Sequence, residues 1–384
     1  PEEIRICDPA AGSGHMLTYA FDLLYAIYEE EGYDATEIPA LILTHNLTGV
    51  EIDDRAGALA AFALAMKAAA KLGRRRFLRM EAKPDICVLQ NVSFTDAEMQ
   101  DVAAVVGKDL FTDELRETLG QFEQAKNFGS LIVPKLRDPA ETLRVVEARD
   151  FGGDLLLKEV QERVIAVLRM AEALSPKYHV VAANPPYMGG KGMNAGLQNF
   201  AKVNFPSGKS DLFSMFILRI CEMLPHAGVT GLMTPFTWMY LSSFEALRDT
   251  LLTRGQITSL VKPQYHTMFD SAAVPICAFC FESGKKDSVG VFFNLEQFKR
   301  REQQPERLLD AIREPKSTWR YEIKSKRFQS IPGSPIAFNA SISVFDSYAR
   351  GIPNSKVSEK RLGLCTGDND RFLRLWHEAS FKGI

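Results

Sequence analysis

The sequence predicts an α/β protein built on a doubly wound, mostly parallel sheet of seven strands, with a helical insertion and a partial C-terminal region. Three observations lead there. Ile4-Arg5-Ile6-Cys7 is a short apolar run that ends in Asp8-Pro9 and the small-residue turn Ala10-Ala11-Gly12-Ser13-Gly14, ahead of a helical pattern from Met16 to Glu30. Leu47 to Asp53 repeats the arrangement, because a β-type run closes on acids and the Ala-rich stretch Arg55 to Leu72 favours helix. Tyr178 to Ala183 is a buried strand that runs straight into Asn184-Pro185-Pro186-Tyr187. Strands that alternate with helices imply a doubly wound sheet, whose ligands sit outside the carboxyl ends of the strands.

The other elements follow in order. Ile86 to Leu89 reads as the third strand, stopping at Gln90-Asn91. The charged, helix-compatible stretch that follows is too long for an ordinary crossover and reads as a helical insertion over 94–176. A Gly-rich, Lys-bearing loop from Met188 to Gly208 precedes a helix over Asp211 to Leu224 and a strand over Gly228 to Met233. Ser242 to Arg254 predicts a helix, and Ile257 to Val261 and Val274 to Phe281 predict two more strands. Past Gly284 the pattern loosens into a short β-type run at Val289 to Phe293, a charged helix over Glu296 to Arg313, and a stretch crowded with Pro, Ser and Lys. These signals divide the chain into a first domain over 1–293, a connector over 294–330 and the start of a further region over 331–384.

Composition sets bounds. With 384 residues, 46% of them apolar, the chain can bury a full core. No run of about twenty apolar residues occurs, which argues against a membrane span. Six scattered cysteines, 24% charged residues and no secretory leader fit a reducing, cytoplasmic setting without disulfides. A formal net charge of -2 gives no global electrostatic case for a polyanion, so nucleic-acid binding would rest on local patches. The first residue is not Met, and a core strand begins almost at once, so the sequence reads as part of a longer protein.

A loop that passes close to a ligand needs residues without bulky side chains, and Gly12 and Gly14 at a strand-to-helix turn supply them. Such a turn alone is equally well explained as a plain tight turn. An acid at the end of the second strand can accept hydrogen bonds from ribose hydroxyls, and Glu51 occupies that place. Asp53 or Asp54 more simply caps the next helix. Asn91, ending the third strand, could hydrogen-bond an adenine edge or satisfy its local backbone.

Asn184-Pro185-Pro186-Tyr187 carries the chemistry. The Asn184 side-chain oxygen and the Pro185 carbonyl can accept both protons of a planar amine, and Pro185 and Pro186 stiffen the loop that presents them. Tyr187 offers a flat face on which a flipped-out base could stack. A rigid Pro-Pro turn after a strand is the bland alternative.

The order Asp8 to Gly14, then Asn184 to Tyr187, resembles the gamma-type amino methyltransferases, in which the cofactor motif precedes the catalytic one. Tyr187-Met188-Gly189-Gly190-Lys191-Gly192-Met193-Asn194, Lys209-Ser210-Asp211-Leu212-Phe213 and Thr366-Gly367-Asp368-Asn369-Asp370-Arg371-Phe372 resemble the PglX methyltransferases of BREX phage-defence systems and their single-chain restriction-modification relatives. The resemblance covers nearly the whole chain. It implies a Rossmann-like class I methyltransferase fold, S-adenosyl-L-methionine as cofactor, and methylation of adenine N6 in double-stranded DNA alongside other defence-system proteins. It also implies a helix ahead of the Gly turn and a target-recognition region beginning near Arg361, both extending outside this sequence. By the same carry-over Ala10, Gly12, Gly14, Glu51 and Ile52 would contact the cofactor, Asp8 would support its methionine end, and Asn184, Pro185 and Tyr187 would hold the base. Asn91 stands where the family often has an acid.

Weaker signals are set beside these. Gly208-Lys209-Ser210 is no phosphate loop, since Val203 occupies the earlier glycine position. Lys191, Lys202 and Lys209 could neutralise DNA phosphates or be solvated surface lysines. The Arg74-Arg75-Arg76 run suits a helix end better than nucleic acid. Cys277 and Cys280 have zinc-like spacing but fall on opposite faces of a strand without a second pair, so no metal is expected; His15 and His179 lack partners for a triad. Other readings are methylation of a protein glutamine or an RNA guanine, or a silent scaffold for DNA or partner proteins. The long insertion and the second region favour a large DNA enzyme.

Overall fold

The computed structural model of the chain describes residues 1–265, 274–284, 287–352 and 354–358. Strands β1 (Ile6–Asp8), β2 (Leu47–Glu51), β3 (Asp85–Val88), β4 (Val180–Ala183), β5 (Val229–Pro235), β6 (Gly255–Lys262), β7 (Ile276–Ser283), β8 (Val289–Asn294) and β9 (Arg320–Lys324) form one sheet. Their order is β3-β2-β1-β4-β5-β7-β6-β8-β9. The pairs β1·β2, β1·β4, β2·β3, β4·β5 and β6·β8 are parallel, whereas β7 runs antiparallel to both β5 and β6 and β9 runs antiparallel to β8. The expected doubly wound, mostly parallel sheet is therefore present, with two strands more than the seven expected.

From β1 the chain builds outward to β2 and β3 on one side and returns to β4 and β5 on the other. A crevice must open where the order reverses, outside the carboxyl ends of β1 and β4. Those ends carry Asp8 and Asn184.

Helices cover both faces because each strand alternates with an amphipathic segment. Helices α1 (His15–Glu30) and α2 (Asp54–Leu72) bury Leu17, Phe21, Leu24 and Leu64 with Ile6 and Leu47. Asp53 starts α2 as a cap, its carboxylate accepting from the amides of Arg55 and Ala56, both at 2.9 Å. The insertion between β3 and β4 contains α3 (Glu98–Val106), α4 (Asp113–Gln121), α5 (Pro139–Glu147) and α6 (Leu155–Leu174), whose apolar faces join Val50 and Leu89 in a second core cluster. Beyond β4 lie α7 (Ala195–Asn204) and α8 (Leu212–Met223), and α9 (Glu245–Arg254) leads into β6. No helix among the described residues is long and apolar enough to cross a membrane.

The connector expected over 294–330 is instead part of the sheet domain. It holds α10 (Gln303–Arg313), shorter at its start than the expected Glu296 to Arg313 helix, and the edge strand β9. Phe292 of β8 stacks on Phe338 with ring centroids 5.3 Å apart and meets Phe328 edge-on, so this segment shares a core with the strands before it. The first compact unit accordingly runs from Pro1 to Asn339. Residues Ala340–Ile384 form a second unit, in which the structure describes α11 (Ile342–Arg350) and a helical turn at Asn354–Val357. Arg361 and the stretch Thr366 to Phe372 lie outside the described residues.

Candidate active site

The Gly turn is built by backbone geometry that other residues resist. Gly12 and Gly14 have φ of +53° and +83°, left-handed values that cost a side-chain-bearing residue about 1–2 kcal/mol. A Cβ on Gly14 would also stand 3.0 Å from the backbone of Ala60 in α2, so a larger residue there requires that helix to give way.

Glu51 holds this turn in place. Its Oε2 accepts from the Gly12 amide at 2.7 Å, and its Oε1 accepts from the amides of Ile52 at 2.8 Å and Asp53 at 3.0 Å. The Ala11 amide adds a bond to the Val50 carbonyl at 3.0 Å. A carboxylate has about four acceptor positions, so three backbone donors leave one for a ligand hydroxyl. Asp8 lies beneath the turn, buried, with Oδ1 accepting from the Ala10 amide at 3.1 Å. Burial pushes its carboxyl up to about 7; the Ala10 hydrogen bond opposes this and the negative charge of Glu51 adds to it.

The second loop behaves differently. Asn184 and Pro186 are exposed and Pro185 is buried. Tyr187, expected to stack on a base, is half-buried: its ring meets Phe213 edge-on, and its hydroxyl lies 2.7 Å from Asn184 Oδ1 and 3.0 Å from the Met233 carbonyl. Burial pushes the Tyr187 hydroxyl up to about 12, the charge of Cys277 adding to it, so it stays a proton donor. The loop that follows is anchored by Asp211, whose Oδ1 accepts from the Met188 amide at 3.0 Å and from the Phe213 amide at the start of α8 at 3.3 Å. That role gives Lys209-Ser210-Asp211 a structural meaning the sequence did not reveal.

One cavity of about 270 Å³ joins the two loops, lined by Pro9, Ala10, Glu51 and Ile52 on one side and by Asn184 and Pro186 on the other. Val50 and, from α8, Leu212 and Phe216 also line it, and the insertion supplies the rest through Asn127, Phe128, Gly129 and Ser130. Sequence inspection missed these four, because nothing local marks a segment that returns to the strand ends from the middle of an insertion. Asn91 is not among the lining residues; its side-chain carbonyl accepts from the Lys126 amide of the insertion at 2.8 Å, a backbone bond across the fold and not the local one weighed above. A larger cavity, about 850 Å³, runs along β3 with Arg5, Thr48, Asp85 and Gln90 in its wall, and no residue of either motif lines it.

Lys191, Lys202 and Lys209 are all exposed and form no ion pair among the described residues. His179 accepts from the Arg5 amide at 3.1 Å through Nδ1. Cys277 is buried and Cys280 half-buried, on opposite faces of β7, and among the described residues no three His, Cys, Asp or Glu side chains group as a metal site.

Sequence similarity places the chain, with this sheet, among restriction-modification methylases. Residues 45–269 match the Eco57I restriction-modification methylase family, and the chain belongs to it. It is 35% identical over 411 residues to the adenine-specific methyltransferase BrxX of Escherichia coli O9:H4 (strain HS), covering 100% of this chain and 33% of that protein. To the adenine-specific methyltransferase PglX of Lacticaseibacillus casei (strain Zhang) it is 32% identical over 399 residues, covering 100% of this chain and 32% of that one. The chain thus spans about a third of the length of these relatives. Among solved structures, the cryoEM structure of a DrdV–DNA complex aligns at a TM-score of 0.52 and 12% identity over 89% of this chain and 29% of that chain, a likeness of fold.

Proposed function

We propose that this chain is the methyl-transferring part of an enzyme that modifies adenine N6 in DNA, with S-adenosyl-L-methionine as methyl donor and the target base flipped out of the duplex. The observation that carries this reading is the single cavity lined by both Glu51 and Asn184. The names of the relatives and the family membership support the substrate class.

The residues present fit that cofactor. A turn open enough for close approach, a strand-end carboxylate with one acceptor position left, and the apolar Ile52 beside it suit a nucleoside. The buried carboxyl of Asp8 suits a cationic end. When bound, the cofactor supplies an electrophilic methyl on a sulfonium. The protein's work lies in orienting the nucleophile. Adenine N6 is a poor nucleophile because its lone pair is delocalised into the ring, so its geometry must be set. Asn184 Oδ1 accepts one amine proton on the lone pair that the Tyr187 hydroxyl leaves free, and the Pro185 carbonyl accepts the other. Lys191, Lys202 and Lys209 flank this loop and contribute phosphate contacts.

Transfer of tritiated methyl to adenine in duplex DNA by the full-length protein, with its system partners, tests the proposal. Labelled N6-methyladenine is the expected product. Unmodified adenine in cells that carry the complete active system would overturn it.

A further inference from the structure

The wall supplied by the insertion is fastened at both ends. At the cofactor end, Ser130 Oγ donates to the Pro9 carbonyl at 2.6 Å, and buried Arg219 of α8 donates to the Ser130 carbonyl at 3.0 Å. At the other end the segment is tied to α7, the helix that follows the Asn184 loop. Asn194 Nδ2 donates to Asn127 Oδ1 at 2.8 Å, and the reciprocal bond is 3.3 Å long. Phe128 stacks on Phe200 with ring centroids 4.2 Å apart and planes within 13°. Neither Asn194 nor Phe200 lines the cavity. Gly129, at φ +57°, seats the segment against Ile52, where an added Cβ would approach the Ile52 side chain to 3.3 Å.

We infer that Asn127 to Ser130 is a latch that couples the cofactor site to the target-base loop, with Asn194 and Phe200 as its positioning residues. The inference rests on the methyltransferase reading above and names residues it does not use. Two fastened ends make the segment one mechanical unit, so a ligand against Phe128 and Ile52 orders α7 and the loop before it. Coupling of this kind is reciprocal: the cofactor raises affinity for DNA by the factor by which DNA raises affinity for the cofactor.

The variants must loosen the latch and spare the fold. Asn194→Ser suits this, because a serine hydroxyl still caps the Leu197 amide, which Asn194 Oδ1 accepts at 2.9 Å, but cannot reach Asn127. Phe200→Ala removes the stack, and Phe200→Tyr keeps it. Calorimetry with S-adenosylhomocysteine on the full-length protein reads the cofactor site with no turnover. Fluorescence titration of an adenine-containing duplex, with and without that ligand, reads the coupling. Asn194→Ser and Phe200→Ala should weaken S-adenosylhomocysteine about fivefold or more and abolish its enhancement of DNA binding, on the scale of ordinary site-to-site coupling. Phe200→Tyr should behave as wild type. Wild-type binding with an unchanged dissociation constant and unchanged coupling in both loosened variants would overturn the latch alone. Wild-type protein that binds no S-adenosylhomocysteine would overturn the methyltransferase reading and the latch with it.

Discussion

The two loops that meet at the cavity are held in opposite ways. Around Gly12 the chain satisfies itself: Glu51 accepts three backbone amides, and the buried Asp8 carboxyl is bonded to Ala10. Around Asn184 the chain stays open, with an exposed amide whose side-chain support among the described residues is the Tyr187 hydroxyl. On the proposed reading, the cofactor is met by a preformed site, whereas the flipped base meets a loop with free acceptor capacity. Substitutions in the two loops should therefore fail differently.

The largest effect is expected at the open loop. Asn184→Ala removes the proposed acceptor for the reacting amine, and loss of one positioned polar group of this type costs about 10²–10³-fold in kcat. Its S-adenosylhomocysteine affinity by calorimetry should stay within about twofold of wild type. A comparable loss of cofactor binding would collapse the distinction between the loops.

Glu51→Ala should show the reverse pattern. Hydrogen bonds to a charged group contribute about 1.5–3 kcal/mol, so the loss of the Gly12 anchor and of the proposed ribose acceptor predicts cofactor binding weaker by about 10- to 100-fold. Calorimetric titration measures it, and an unaffected variant would remove Glu51 from the site.

How much of this was legible in the sequence follows from how local each signal is. Gly12, Gly14, Glu51 and Asn184 to Tyr187 stand out as candidates because each sits at the end of a strand whose pattern is plain. The same reason narrows the cap of the helix after β2 to Asp53 or Asp54, and the structure gives it to Asp53. Asn127 to Ser130 carry no such mark, since their function arises only when residues some 120 positions beyond the Gly turn fold back against Pro9. The Tyr187 hydroxyl was overlooked because its partners, Asn184 and Met233, come together through β4 and β5. Strand β9 was hidden by its composition: Arg320-Tyr321-Glu322-Ile323-Lys324 buries only Ile323 and ends the sheet with charged side chains, as edge strands commonly do.

A smaller pair of effects separates two glycines of one turn. Gly14→Ala incurs backbone strain of about 1–2 kcal/mol and a Cβ 3.0 Å from Ala60, so it should lower the melting temperature by several degrees. Gly12→Ala meets nothing within 4 Å and should cost little beyond the strain, and on the proposed cofactor site its Cβ should obstruct the ligand. Thermal melts paired with calorimetry should rank Gly14→Ala worse for stability and Gly12→Ala worse for cofactor affinity. The opposite ranking would mean that the ligand does not pass over Gly12.

The smallest effect is a change of slope with pH. The Asp8 carboxyl is raised from 3.8 to about 7 in the folded chain, first by burial, with the Ala10 amide lowering it and Glu51 raising it. Between those values the folded state keeps a proton that the unfolded chain has released, so this group makes stability fall as pH rises from about 4 to about 7. Asp8→Asn removes that contribution. Urea midpoints measured from pH 5 to 8 should show the variant gaining on wild type as pH rises, with the gap levelling off above about 7. Cofactor binding should move the other way, because a cationic ligand favours the ionised carboxylate: wild-type affinity for S-adenosyl-L-methionine should climb through pH 7, and that of Asp8→Asn should not. Parallel curves in both measurements would show that Asp8 is ionised throughout and that the turn above it is less sealed than its burial implies.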